Sequence, residues 1–152
     1  PPRDPKVPFL DRNMLLGIAA GAAALWLAVF LPYWFLLRGD LSAAATAGTL
    51  AFSAWIVGHV LLALFSRSAH DPLYRIGVFS NRVMILWMAG AIGLLAVTLF
   101  VPAVGGLLNM VPVSATRAAA VFAFTFLCMA GFELAKLGRT ARNPSPEGKA
   151  GG

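Results

Sequence analysis

Four long apolar stretches constrain this chain more strongly than any other feature of its sequence. They cover residues 14–37, 44–65, 82–101 and 115–137, and each is close to the roughly 20 residues that a helix needs to cross a bilayer. Of the 152 residues, 59% are apolar and only 12% are charged, too few to cover a soluble surface. The sequence therefore predicts an all-α membrane protein with four transmembrane helices in an up-down bundle.

The two ends of the chain differ in composition from this predicted transmembrane domain of residues 14–137. Residues 1–13 are rich in proline and charged side chains, which is typical of an interfacial linker. Residues 138–152 are polar, which predicts a disordered cytoplasmic tail. Because the chain opens with Pro-Pro-Arg-Asp-Pro-Lys and no methionine, we expect it to be part of a longer chain.

The distribution of lysine and arginine predicts how the four helices are oriented. Of the 12 basic residues, Arg38 lies between the first and second helices, and Arg117 lies next to the segment between the third and fourth helices. The other ten lie in the N-terminal linker, between the second and third helices, or at the C-terminal end. Since cytoplasmic segments carry an excess of basic residues, both termini and the segment between the second and third helices are predicted to be cytoplasmic.

His59 is the main candidate for a functional residue. It is an ionisable side chain well inside an apolar helix, where such a group is costly and often functional. It lies about 100° round the helix from Gly58, at the edge of a stripe of small residues, so we expect it to face protein rather than lipid. The alternative is a packing histidine that bonds a carbonyl or a Ser/Thr hydroxyl of a neighbouring helix.

Small residues recur at helical spacing in the first two helices and predict close helix packing. Residues three or four apart share one face of a helix, and small side chains let another helix approach. The predicted packing residues are Gly17 and Gly21 in the first helix and Ala47, Ala51, Ala54 and Gly58 in the second.

Catalytic and metal-binding motifs are absent from the sequence. It contains no Asp-Lys-Thr-Gly segment for an aspartyl-phosphate, no Gly-rich phosphate loop and no His-Glu-x-x-His. A single cysteine, Cys128, excludes an intrachain disulfide. The net charge of +6 comes from basic residues near the ends of apolar stretches, which favours a bilayer and no nucleic acid as partner. We expect no catalytic residue, metal or cofactor within this segment.

Several short motifs occur along the chain in a characteristic order. They are Pro-Pro-Arg-Asp-Pro-Lys at 1–6, Gly-Thr-Leu-Ala-Phe at 48–52, Ala-Leu-Phe-Ser-Arg-Ser at 63–68, Phe-Ser-Asn-Arg at 79–82, Pro102, and Glu-Leu-Ala-Lys at 133–136. In this order they resemble the C-terminal membrane domain, the seventh to tenth transmembrane helices, of cation-transporting P-type ATPases. The resemblance covers nearly the whole chain up to Leu137.

The resemblance implies a buttress for the transport helices of a pump, without catalysis by this segment itself. ATP and Mg would bind in cytoplasmic domains that precede it. Its partners would be the lipid bilayer and the other transmembrane helices and cytoplasmic domains of the same pump. The implied location is a bacterial plasma membrane, as a multi-pass protein.

The resemblance also assigns His59 to the ion pathway. It places His59 where calcium pumps carry a glutamate ligand and some relatives a glutamine. Leu62 and Phe65 replace nearby asparagines of the family, and an imidazole is not a hard oxygen ligand. A calcium site of the usual type is therefore not expected.

Glu133 is a weaker candidate for the ion pathway. It is either an ion-entry carboxylate or an interfacial partner of Lys136 or Arg139 near the end of the fourth helix.

Two functions other than a pump domain are also open. One is a free-standing structural or assembly protein with the same bundle, and the other is a channel made by oligomerisation.

Single cysteines in a Cys128→Ser background test the predicted orientation. Ser42→Cys and Asn109→Cys should react with a membrane-impermeant maleimide added to intact cells, because both lie in loops predicted to be outside. Ser68→Cys and Ser145→Cys should react only after the cells are permeabilised. Labelling of position 68 or 145 in intact cells would contradict the orientation.

Overall fold

The computed structural model describes residues 12–67 and 81–142, which form five α-helices. The helices are α1 (Arg12–Leu37), α2 (Ala44–Phe65), α3 (Arg82–Phe100), α4 (Pro102–Leu107) and α5 (Ala115–Arg142), with a short 3-10 helix at Leu41–Ala43. These two ranges contain no β-strand. Since α1, α2, α3 and α5 are long and apolar enough to cross a membrane, the predicted all-α membrane fold with four spanning helices is confirmed.

The helix bounds differ from the predicted ones in three places. α1 begins at Arg12 rather than at residue 14, α3 ends at Phe100 rather than at residue 101, and α5 continues beyond residue 137 to Arg142. Residues 138–142 of the predicted tail are therefore helical. The linker up to residue 11, the segment 68–80 and residues 143–152 lie outside the described residues.

α2 is the central helix of the bundle. It packs against α1 and α5, which also pack against each other, and less extensively against α3. In its most apolar stretch 39% of the residues are buried, against 11% in α1 and in α3. The buried residues of α3 are Leu95 and Thr98, so α3 is a peripheral helix.

Two glycines allow α1, α2 and α5 to approach closely. A Cβ atom at Gly58 of α2 would lie 2.5 Å from Leu25 Cδ1 in α1 and 3.6 Å from Thr125 Cγ2 in α5. A Cβ at Gly21 of α1 would lie 2.9 Å from Leu62 Cδ1 in α2. Contacts this short leave little room for a side chain, so both glycines lie at points of helix–helix contact.

The other small residues singled out in the sequence differ in their surroundings. Ala47 and Ala54 are 0% exposed, and Ala51 is half-buried. By contrast, a Cβ at Gly17 would meet no atom within 4 Å among the described residues. The small-residue stripe of α2 therefore packs inside this domain, whereas Gly17 of α1 lies at an open position.

The segment between α3 and α5 contains the short helix α4. Pro102 occupies its first turn, where a missing N–H costs nothing. The helix ends at Leu107, and Asn109, two residues later, has a positive φ of 53°. The Met110 N–H donates to the Gly105 carbonyl at 2.9 Å. A Cβ at Gly105 would lie 2.7 Å from the Thr98 carbonyl oxygen, so glycine lets α4 fold back on the end of α3.

One hydrogen bond joins the residues after α4 to α2. The Val111 N–H donates to the Thr49 hydroxyl oxygen at 3.0 Å, and that hydroxyl donates to the Ala45 carbonyl at 3.0 Å. Thr49 is only 2% exposed. Because an unpaired N–H in a dry environment is costly, this bond holds the connection between α3 and α5 against α2.

Thr49→Val should lower the thermal stability of the protein in detergent. Valine keeps the shape of the side chain but leaves the Val111 N–H without its acceptor, at a cost of about 1–3 kcal/mol. Thr125→Val is the matched control, because the buried Thr125 hydroxyl bonds the Val121 carbonyl of its own helix. Equal melting temperatures for the two variants would contradict the proposed role of Thr49.

Candidate functional site

One face of α2 points away from the helices that pack around it. We call it the outer face of α2, and its residues are Gly48, Phe52, Trp55 and His59. Their spacing of four, three and four residues places them in a single stripe. Phe52 is 38% exposed and Trp55 is 45% exposed, although α2 is the most buried of the spanning helices. A Cβ at Gly48 would meet no atom within 4 Å in the described structure.

The aromatic rings of the outer face form a ladder that ends at His59. The ring centroids of Phe52 and Trp55 are 6.0 Å apart, and those of Trp55 and His59 are 4.6 Å apart with an interplanar angle of 65°. Such an edge-on arrangement is favourable for aromatic rings. The imidazole is therefore positioned by packing against the side chain four residues earlier.

A hydrogen bond determines which nitrogen of the neutral His59 ring carries the proton. His59 Nδ1 lies 2.9 Å from the Trp55 carbonyl oxygen. A carbonyl oxygen only accepts hydrogen bonds, so Nδ1 must be the donor. In the neutral ring Nε2 then has a lone pair and acts as an acceptor. The outer face of α2 thus presents one hydrogen-bond acceptor within an otherwise apolar and aromatic surface.

His59 is half-buried, and the expectation from its position beside Gly58, that it faces protein rather than lipid, stays a prediction. Gly58 points toward α1 and α5, whereas His59, one residue later, lies on the outer face. The carbonyl that it bonds belongs to α2 itself rather than to a neighbouring helix. The bond to the Trp55 carbonyl, four residues earlier, follows from helix geometry, because side chains tilt toward the N-terminus and lie over the preceding turn.

Glu133 and His59 are at different levels of the bundle. Gly58 is level with Thr125 of α5, and Glu133 lies eight residues, or about 12 Å, further along that helix. Glu133 is half-buried near one end of the predicted span. The structure therefore does not bring the two candidates together, and the pairing of Glu133 with Lys136 or Arg139 stays a prediction.

The opposite end of the bundle carries an interfacial cluster between α1 and α2. The Arg38 guanidinium lies over the rings of Phe35 and Trp34, 4.6 and 5.3 Å from their centroids. Hydrogen bonds from the Ser42 hydroxyl and the Ser42 N–H hold the pKa of the Asp40 carboxyl below its ordinary value. These features are typical of a helix end at a membrane surface and mark where α1 and α2 leave the bilayer.

A metal-binding cluster is not among the features of this site. The described residues contain no group of three or more His, Cys, Asp or Glu side chains that could hold a metal ion.

Phe52 and Trp55 are the site residues that sequence reasoning missed. Their spacing relative to His59 was a usable signal, because residues 52, 55 and 59 fall on one helical face.

The fold defines a class: a multi-pass α-helical membrane domain. Residues 1–138 match the family model described as "Cation transporting ATPase, C-terminus". The chain belongs to this family and is the C-terminal transmembrane domain of a cation-transporting ATPase. Among curated proteins no match was found. The family match gives no support to a free-standing structural protein.

Proposed function

We propose that this domain buttresses the transport helices of a P-type cation pump, and that His59 lines the ion pathway where they meet. The observation that carries the proposal is the outer face of α2. It is an aromatic surface with one histidine on the central helix, where Phe52 and Trp55 are exposed and His59 is half-buried.

The cost of a histidine in lipid supports a protein partner for this face. An ionisable side chain within a spanning helix usually faces protein or a water-filled cavity rather than hydrocarbon. Small residues on a helix surface admit a close neighbour, and Gly48 offers such a position at one end of the stripe. Docked transport helices would remove Phe52, Trp55 and His59 from lipid together. The ion pathway would then run along the interface between α2 and those helices.

The chemistry of the ring suggests how His59 acts on a cation. With Nδ1 bonded to the Trp55 carbonyl, Nε2 of the neutral ring accepts a hydrogen bond from a coordinated water or from a hydroxyl of a transport helix. An imidazolium carries a positive charge, so a protonated ring repels a cation or takes part in countertransport. Direct ligation of calcium is disfavoured, because calcium prefers oxygen ligands.

The energy for transport would come from outside this domain. We propose that ATP and Mg bind in cytoplasmic domains of the same pump, which act on the transport helices that this domain supports. The bacterial plasma membrane is the location that we propose, on the resemblance to bacterial pumps. In this proposal Glu133 is an interfacial partner of a basic residue and not part of the ion pathway, because it lies further along the bundle axis than His59.

His59→Gln in the full-length pump should change ion-stimulated ATPase activity. We expect the apparent ion affinity to shift by about fivefold, since one hydrogen bond contributes about 1 kcal/mol. The pH dependence of activity should also change, because glutamine, unlike histidine, has no ring nitrogen to protonate. The measurement is ATPase activity against ion concentration at several pH values.

The matched control is His70→Gln, which removes the only other histidine of this chain. Its position between the second and third spanning helices is predicted to be outside the membrane, so its activity curves should superimpose on those of the wild type. If the His59→Gln curves also superimpose on the wild type, His59 has no part in the ion pathway.

A further inference from the structure

The guanidinium of Arg38 is held at the end of α1 by two aromatic rings. It lies 4.6 Å from the ring centroid of Phe35 and 5.3 Å from that of Trp34, and both rings are exposed. These cation–π contacts attract the charge but use none of the five N–H donors at the edge of the guanidinium. Arg38 is itself exposed. It is therefore a positioned cation with donors open to a further partner.

The carboxylate nearest to Arg38 in the sequence is directed to another group. Asp40 lies two residues later, and both of its carboxylate oxygens accept hydrogen bonds from Ser42, at 2.8 and 2.7 Å. Through these bonds Asp40 caps the 3-10 helix at Leu41–Ala43. Among the residues that the structure describes, Arg38 has no carboxylate partner.

Every other acidic residue of the chain is predicted to lie on the opposite side of the membrane. Four spanning helices place the segments before α1, between α2 and α3 and after α5 on the side away from Arg38. Those segments and the C-terminal end of α5 contain the remaining five of the six acidic residues, Asp4, Asp11, Asp71, Glu133 and Glu147. The anion that neutralises Arg38 must therefore come from outside this chain segment.

The surface of α1 between Arg38 and the membrane centre indicates the source of that anion. Three exposed aromatic residues precede Arg38 at spacings of four and form the aromatic stripe of α1: Trp26, Phe30 and Trp34. The rings of Trp26 and Phe30 stack with centroids 4.7 Å apart. From residue 26 to residue 38 the helix rises about 18 Å, close to half of the roughly 40–45 Å thickness of a bilayer with its headgroups. A cation above an apolar stripe of this length is complementary to one phospholipid.

We infer that Arg38 binds the phosphate group of a phospholipid whose acyl chains lie along the aromatic stripe of α1. The planar guanidinium can donate two parallel hydrogen bonds to two phosphate oxygens, which the ammonium of a lysine cannot do in the same geometry. Lipid phosphates are present at this level of the bilayer, whereas a free phosphate gains nothing from the exposed rings. The inference depends on α1 spanning the membrane and not on the role of His59.

Photo-cross-linking at limiting lipid tests the inference. The full-length pump in detergent is incubated with a phosphatidylethanolamine that carries a diazirine in its acyl chain, irradiated and mapped by peptide mass spectrometry. We expect labelling of residues 26–34, and Arg38→Gln should lower it about tenfold because the charge-assisted hydrogen bonds to the phosphate are lost. Arg38→Lys keeps the charge without the planar fork, so its labelling should be intermediate. Because Arg38 is exposed, neither change should alter the melting temperature.

Three controls identify the occupant. Arg117→Gln removes the other basic residue predicted on this side of the membrane and should be labelled like the wild type. A diacylglycerol with the same diazirine chain has no phosphate and should label the wild type and Arg38→Gln equally. Excess inorganic phosphate should leave the labelling by phosphatidylethanolamine unchanged.

Equal labelling of residues 26–34 in the wild type and in Arg38→Gln would overturn the inference, and it is the result expected if an acidic side chain of another pump segment pairs with Arg38. An equal loss in Arg117→Gln would overturn it as well, because any arginine at this surface would then suffice. So would displacement of the lipid by inorganic phosphate, which would assign the site to the free ion.

Discussion

The hydrocarbon core cannot hydrogen-bond to the protein, and the described structure meets this constraint within its own helices. The buried hydroxyls are those of Thr49, Ser53, Thr98 and Thr125, and each donates to a carbonyl four residues earlier in the same helix. Only Thr49 also reaches another segment, where it accepts the Val111 N–H. Association of α1, α2 and α5 therefore depends on close packing at small residues rather than on polar contacts.

This mode of packing distinguishes two faces of α2. The face with Ala47, Ala54 and Gly58 is covered by neighbouring helices, whereas on the outer face Trp55 is exposed and His59 is half-buried. On the outer face His59 is held by a hydrogen bond to the backbone of its own helix, and in our account it meets a partner outside the described residues. Membership of the cation-transporting ATPase family supplies that partner in our account, as transport helices of the same pump.

Much of the fold was predictable because lipid imposes simple rules on length and charge. Runs of about 20 apolar residues must span the bilayer as helices, and these runs located α1, α2, α3 and α5 within a few residues. The helix α4 was missed, since its Gly105-Gly106 pair suggests a loop while Pro102 and a left-handed Asn109 define its ends. The contact between Thr49 and Val111 joins residues 62 apart, which no local pattern reveals. For the same reason helical spacing placed His59 beside the packing stripe but could not show which side of that stripe is covered.

The central claim is that protein covers the outer face of α2 in the full-length pump. Oxygen accessibility of a nitroxide spin label tests it most directly, with the label on Phe52→Cys or on Leu94→Cys in a background without other reactive cysteines. The two sites lie at similar depth in the predicted topology. Position 52 is about 12 Å from the N-terminal end of α2, and position 94 is about 9 Å from the C-terminal end of α3, on the same side of the membrane. We predict that the label at position 52 collides with oxygen far less often than the label at position 94, which faces lipid on the peripheral helix α3. Equal collision rates at the two positions would contradict the account.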